Sequence, residues 1–269
     1  MYSLKISELP TLFEFSEDLR DRVKHSVGNY ISAFQKTDDP VYNQHIELKK
    51  FHIKKVCEEI TGIGQVLGMN SRQLAFVEVI AWLHDISRFE QFETYRTFSD
   101  AESENHAEMS VRIIKKGKIL EGVDQQQLHT IFQSILNHNI PKIPDNGPEL
   151  IDFYSRLLRD ADKLDIWRIT TETNIFNKIR TESFPTTYIV PVELSECFRK
   201  NRIITLDKVN SFYDSILFRL SWIFDINFSF TLKTASERNI FSKLFSKLPS
   251  SEELNTIRDL INQYIRWNI

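Results

Sequence analysis

Cysteine is nearly missing from this chain, which holds two, Cys57 and Cys197, in 269 residues. One pair cannot build a disulfide framework, so a small stapled secreted fold is excluded and an apolar core has to hold the protein together. Glycine and proline are scarce as well, at seven and eight. A sandwich of many tight hairpins needs more of both, so the expectation is an all-α fold of long helices and short turns. Neither charge sign dominates, with 34 Lys and Arg against 37 Asp and Glu and a formal net charge of -3. No global field draws the chain to a nucleic-acid polymer, although a local basic cleft for a small anion is compatible with this balance. Long apolar runs are missing too: the stretch from Ile216 to Phe230 is broken by Arg219 and Asp225, so no membrane insertion is expected. The opening MYSLKISELP has no charged segment followed by an apolar one, and the expected location is cytoplasmic. There is no glycine-rich phosphate loop, CxxC pair or GxSxG elbow.

Hydrophobic residues make up 41% of the chain, and their spacing is helical. After a mixed leading segment that ends at a polar turn through Asp39 and Pro40, the residues Ile46, Phe51, Ile53, Val56, Ile60, Ile63 and Val66 recur every three or four positions. They predict a helix over about 43–67 that contains His52. Asn70 or Ser71 can cap a second helix that runs through Leu74, Val77, Ile80 and Leu83 to the pair His84-Asp85. The stretch FEQFETYRTFSDAESEN (89–105) has no sustained period and reads as a loop, with His106 opening a helix that ends near Gly117. Asp124 can cap a helix in which Leu128, Ile131, Ile135 and His138 share a face, and after the turn Pro141–Pro148 another aligns Ile151, Ser155, Leu158 and Asp162. Thr234 with Glu237 and Ser250 with Glu253 have capping-box spacing, which predicts two closing helices. TTYIVPVEL and RIITL are read as irregular rather than as strands, since Pro191 interrupts the first and the second has no sheet partner.

Six metal-capable positions follow one another through this pattern: His52, His84, Asp85, His106, His138 and Asp162. Nitrogen and carboxylate donors of this kind suit a divalent transition metal, or two that share a carboxylate, and such ions make water nucleophilic near neutral pH. Taken singly, His52 or His138 on an apolar stripe is more often a hydrogen-bonded core histidine, and Asp162 can be a helix-surface carboxylate with Asp160 and Asp165 as local competitors. His25, His45 and His129 have no such pattern around them and are read as structural.

The ordered set, with its contexts FHIKKV, AWLHDISRFEQ, NHAEMS and RDADKLDIWR, resembles the HD-domain superfamily of metal-dependent phosphohydrolases, in the extended form with two further histidines before the last aspartate. The likeness covers about residues 45–168. It implies a helical bundle organised as a leading segment over 1–42, a metal-binding core over 43–170 and a helical extension over 171–269 within the same globular unit. It also implies that His52, His84, Asp85 and Asp162 hold one ion while His106 and His138 hold a second, with Asp85 bridging. The ions expected are Fe, Mn, Zn, Ni or Co, with Mg as a further option. The partner expected is a small phosphoester or nucleotide.

Arg88, three residues after Asp85, is where many members of the superfamily place a cation near substrate phosphate; the competing reading is a surface salt bridge. Lys163 either touches phosphate, orients Asp162 or is simply solvated. The aromatic segment with Phe92, Tyr95, Arg96 and Phe98 either stacks a base or forms a satellite core. The activity that the resemblance implies is phosphoester hydrolysis. Two alternatives share the ligands: a diiron oxygenase of the same superfamily, and a ligand sensor.

Overall fold

The computed structural model describes residues 9–36, 38–144, 147–172 and 187–269. Among them every regular element is helical, as the shortage of glycine and proline led one to expect. The chain divides into two compact units, one ending at Asp162 and the other beginning at Lys163.

The first unit contains α1 (Glu17–Ser32), α2 (Pro40–Val66), α3 (Ser71–Leu83), α4 (Arg88–Tyr95), α5 (His106–Lys116), α6 (Gln125–His138) and the first part of α7 (Glu149–Glu172). At its centre is α3, which packs on α1, α2 and α6. Its sequence explains that place: Ala75, Phe76, Val77, Val79, Ile80, Ala81 and Leu83 are all buried, so the helix is apolar around most of its circumference. Asn70 starts it with a capping box, in which its side chain accepts from the Arg72 and Gln73 amides while the Gln73 side chain accepts from the Asn70 amide.

Helix α2 begins at Pro40, three residues ahead of the expected start. Proline there lacks only an amide that a first turn leaves unpaired anyway, and Asp39 caps the turn through the Tyr42 amide at 2.9 Å. Its buried stripe is Ile46, Ile53, Val56, Ile60 and Ile63 with His52 among them, whereas Phe51 and Val66 are exposed. The turn into α3 uses Gly68 at φ 85, and Gly64 lets α3 come close: a Cβ there would lie 2.8 Å from Leu74 Cδ2.

The segment expected to be a loop over 89–105 contains helix α4. Two turns are too short to show a period, but Phe89 and Phe92, three apart, both bury, and packing rather than pattern stabilises them. Arg96 ends the helix in the left-handed region at φ 57.

The second unit holds the rest of α7 with α8 (Val192–Arg199), α9 (Phe212–Ser221), α10 (Ser229–Glu237), α11 (Ile240–Phe245) and α12 (Glu252–Asn268). Trp167 is buried in it and donates to the Arg219 carbonyl at 2.9 Å. Both expected capping boxes are corrected here. Thr234 is buried inside α10, and the last helix is capped one residue later than expected, by Ser251 accepting from the Leu254 amide. Glu253 turns instead to Ser195 and Arg199 on α8. Of TTYIVPVEL and RIITL neither is a strand among the described residues: Val192 begins α8 and 202–205 is irregular, while Thr186 lies outside the described residues, as do 173–185 of the expected extension.

Replacing Asn70 with Ala removes the cap of the central helix and lowers unfolding free energy by about 1 kcal/mol. Urea unfolding followed by circular dichroism measures this, and an unchanged midpoint would show that the cap does not hold α3.

Candidate metal centre

All six sequence-marked residues come together in the first unit, and helix ends deliver most of them. His84 is the C-cap of α3 and Asp85 follows in the turn to α4. His106 is the first residue of α5, set by Asn105, whose side chain accepts from the Ala107 and Glu108 amides. His138 is the last residue of α6, where Arg159 gathers the carbonyls of Asn137, His138 and Ile140 at 3.0, 3.2 and 2.6 Å. His52 projects from the middle of α2 and Asp162 from α7. The four histidines and Asp85 are buried, and the Asp162 side chain is 14% exposed.

Asp85 divides the cluster. Its Oδ2 lies 3.5 Å from His52 Nε2 and 3.9 Å from His84 Nε2. Its Oδ1 lies 3.5 Å from His106 Nε2 and 3.9 Å from His138 Nε2. Asp162 Oδ1 completes the first side, at 3.2 Å from His52 Nε2 and 3.8 Å from His84 Nε2. Two groups of donor atoms result, His52, His84 and Asp85 on one side and Asp85, His106 and His138 on the other, each spanning no more than 4.8 Å. Asp165, a competitor for the role of Asp162, pairs with Arg168 at 2.6 Å instead.

The tautomers show what the cluster is built to hold. His84 Nδ1 meets the Ala81 carbonyl at 2.7 Å and His138 Nδ1 meets the Ile135 carbonyl at 2.5 Å. A carbonyl only accepts, so each Nδ1 carries the proton and each Nε2 presents a lone pair. His106 Nδ1 likewise faces the Asp100 carboxylate at 2.5 Å. With both rings neutral, His106 Nε2 and His138 Nε2, 2.9 Å apart, oppose lone pair to lone pair. His84 Nε2 is buried with no hydrogen-bond partner among the described residues. A cation placed among these nitrogens would relieve both arrangements. Two ligands at about 2.1 Å from one ion stand roughly 3–3.4 Å apart, so the donor set fits a divalent metal.

Burial pushes His138 down to about 3, helped by the neighbouring His106 and His84, and pushes His84 down as well. Burial alone would raise the carboxyls. For Asp85 it is outweighed by Lys49, Arg88 and His84, and for Asp162 by its hydrogen bond with His52 and the histidine charges, so both stay ionised. Neutral imidazoles beside ionised carboxylates are the protonation states that bind metal.

Of the two cations singled out in the sequence, Arg88 is drawn into the protein. Its Nε faces Asp85 Oδ1 at 3.3 Å, and Nη1 donates to Gln91, the Phe98 carbonyl and Asp100 at 2.8, 2.8 and 3.0 Å. Lys163 belongs to the second unit and pairs with Asp225 at 2.5 Å. Phe92 is stacked between His45 and Phe98, a satellite core. Sequence reasoning missed Asp100, which also accepts from Gln91 and Asn139 at 3.1 and 3.3 Å, and Lys49, whose Nζ is 3.1 Å from Asp85 Oδ2. Lys49 precedes His52 by three residues on one helix, a spacing that could have revealed it; Asp100 had no comparable signal. His25 and His129 are exposed.

Compared with protein-family models, with curated proteins and with solved structures, the chain matches none of them. The site is therefore read from its own geometry.

Two measurements test that geometry. The His138 ring is neutral down to about 3 in the fold, against an ordinary 6.5. Between those values the unfolded chain binds protons that the folded one refuses, so stability falls as pH drops from 6.5 toward 3, and the depressed Asp85 and Asp162 add to the loss below 3.8. Chelated protein should melt at a distinctly lower temperature at pH 4.5 than at pH 7, with a shallower slope in His138→Gln; equal melting temperatures contradict the burial of neutral imidazole. Asp100→Asn removes the carboxylate that orients His106 and should weaken metal binding by about 10–100-fold, read by calorimetric titration with Mn2+.

Proposed function

We propose that this protein is a metal-dependent phosphohydrolase of the HD-superfamily type, with a binuclear centre. The observation that carries the reading is Asp85, whose two oxygens face two separate histidine groups. A carboxylate so placed can bridge two ions, and imidazole cannot. His52, His84, Asp85 and Asp162 would hold one ion, and Asp85, His106 and His138 the other. Ions in such a pair lower the pKa of water and stabilise charge on a phosphoryl group.

The chain's own residues do the rest. Arg88 ties Asp85 to Asp100 and so keeps one side of the bridge from rotating. Asp100 holds His106 with Nε2 toward the centre, and the carbonyls of Ala81 and Ile135 do the same for His84 and His138. The rings therefore need no reorganisation when ligands arrive, which is how prepositioned groups lower a barrier. No side-chain nucleophile is required.

Elemental analysis of protein purified without chelator, combined with a panel of phosphate esters and nucleotides, tests the proposal. Metal near two equivalents and metal-dependent phosphate release are expected, and Asp85→Ala should abolish the release while the protein stays folded by circular dichroism. Oxygen uptake by iron-loaded protein without phosphate release would replace this reading with the oxygenase one.

A further inference from the structure

We propose that the substrate is a phosphate monoester in its doubly charged form and that Lys49 is the residue that contacts its phosphoryl group. The inference rests on the hydrolase reading and narrows it.

The first support is where Lys49 lies. It is one turn before His52 on α2 and places Nζ 3.1 Å from Asp85 Oδ2, the oxygen that also faces His52 and His84. The ammonium thus takes up the side of the carboxylate that a metal would use. An ion bound there repels it, and a four-carbon stem with a side chain 17% exposed can carry the charge a few ångströms to a new anion. Arg88 cannot serve as readily, since Nε and Nη1 are engaged by Asp85, Gln91, the Phe98 carbonyl and Asp100. The Phe98 ring, whose centroid is 5.3 Å from Lys49 Nζ, gives the displaced ammonium an aromatic face to rest against.

Charge is the second support. Among the described residues, the charged side chains that face the cluster's side chains, leaving aside Arg159 on the backbone carbonyls, are three carboxylates, Asp85, Asp100 and Asp162, and two cations, Lys49 and Arg88. That shell has a net charge of one negative, and two dications turn it to three positive. A surplus of that size, in a buried setting where charge is poorly screened, selects a multiply charged anion over a diester with one charge or a neutral compound. In the reaction, the oxygen of water forms the new bond to phosphorus and the ester P–O bond breaks. One water proton ends on the departing alcohol and the other on the released phosphate.

The test uses full-length wild type, Lys49→Gln and Lys49→Arg, loaded with Mn2+. With p-nitrophenyl phosphate, Lys49→Gln should raise KM about tenfold or more with a smaller change in kcat, and Lys49→Arg should restore KM. With bis(p-nitrophenyl) phosphate the wild type should be slower by at least about tenfold in kcat/KM. Calorimetric titration of the metal-free proteins adds a readout of opposite sign: Mn2+ should bind Lys49→Gln as tightly as wild type or tighter, because a competitor for Asp85 Oδ2 is gone. Weaker Mn2+ binding, an unchanged KM or a preference for the diester overturns the proposal. Binding of inorganic phosphate to the loaded proteins separates the failures. Phosphate binding that depends on Lys49 without any ester hydrolysis sinks the hydrolase reading alone, and phosphate binding unchanged in Lys49→Gln sinks the role of Lys49.

Discussion

A single carboxylate, Asp85, is ionised while only 2% exposed, and the histidine cluster of the first unit is organised around the cost of keeping it so. An isolated charge in such a place would be neutralised or expelled. Here Lys49 and Arg88 approach its two oxygens from opposite partners, and four imidazoles surround it. Removing one of these groups leaves the others uncompensated, so the cluster behaves as one network rather than as six independent ligands.

That demand is met by helix termini. Three of the four histidines stand at the end or start of a helix, where the backbone turns away and a side chain can point into a shared space without crossing a neighbouring turn. Local hydrogen bonds then decide which ring nitrogen is offered. For His84 and His138 the acceptor is a carbonyl three residues earlier on the same helix, so the orientation is encoded in α3 and α6 themselves. For His106, at a helix start, no earlier turn exists, and Asp100 supplies the acceptor from the short 3-10 helix Asp100–Glu102.

This difference also explains what could be read from the chain alone. The helices with three or more turns and an apolar stripe, α2 and α6 above all, were legible from spacing, and so were the caps, Asp124 and, of the pair Asn70 and Ser71, Asn70. The six residues that converge around Asp85 could be picked out because each sits in a distinctive local context. Helix α4 was not, since two turns give no period and its stability comes from burying Phe89 and Phe92. Asp100 was hidden for a related reason: it lies in a polar stretch with several acids, and only the tertiary position of His106 distinguishes it from Glu102 or Glu104. The cap at Ser250 was missed by one residue because Ser250 and Ser251 are adjacent and the choice between them depends on where the preceding chain packs.

The far ends of α5 and α6 meet in a turn where Lys118 and Gly122 both have positive φ and several residues are exposed. His106 and His138 occupy the opposite ends of the same two helices. Eleven residues of α5 separate turn from site, about 16 Å at 1.5 Å per residue. Length and composition at this turn are thereby uncoupled from the chemistry, which makes it the natural place to graft a tag, a fluorophore or a tether without disturbing the centre.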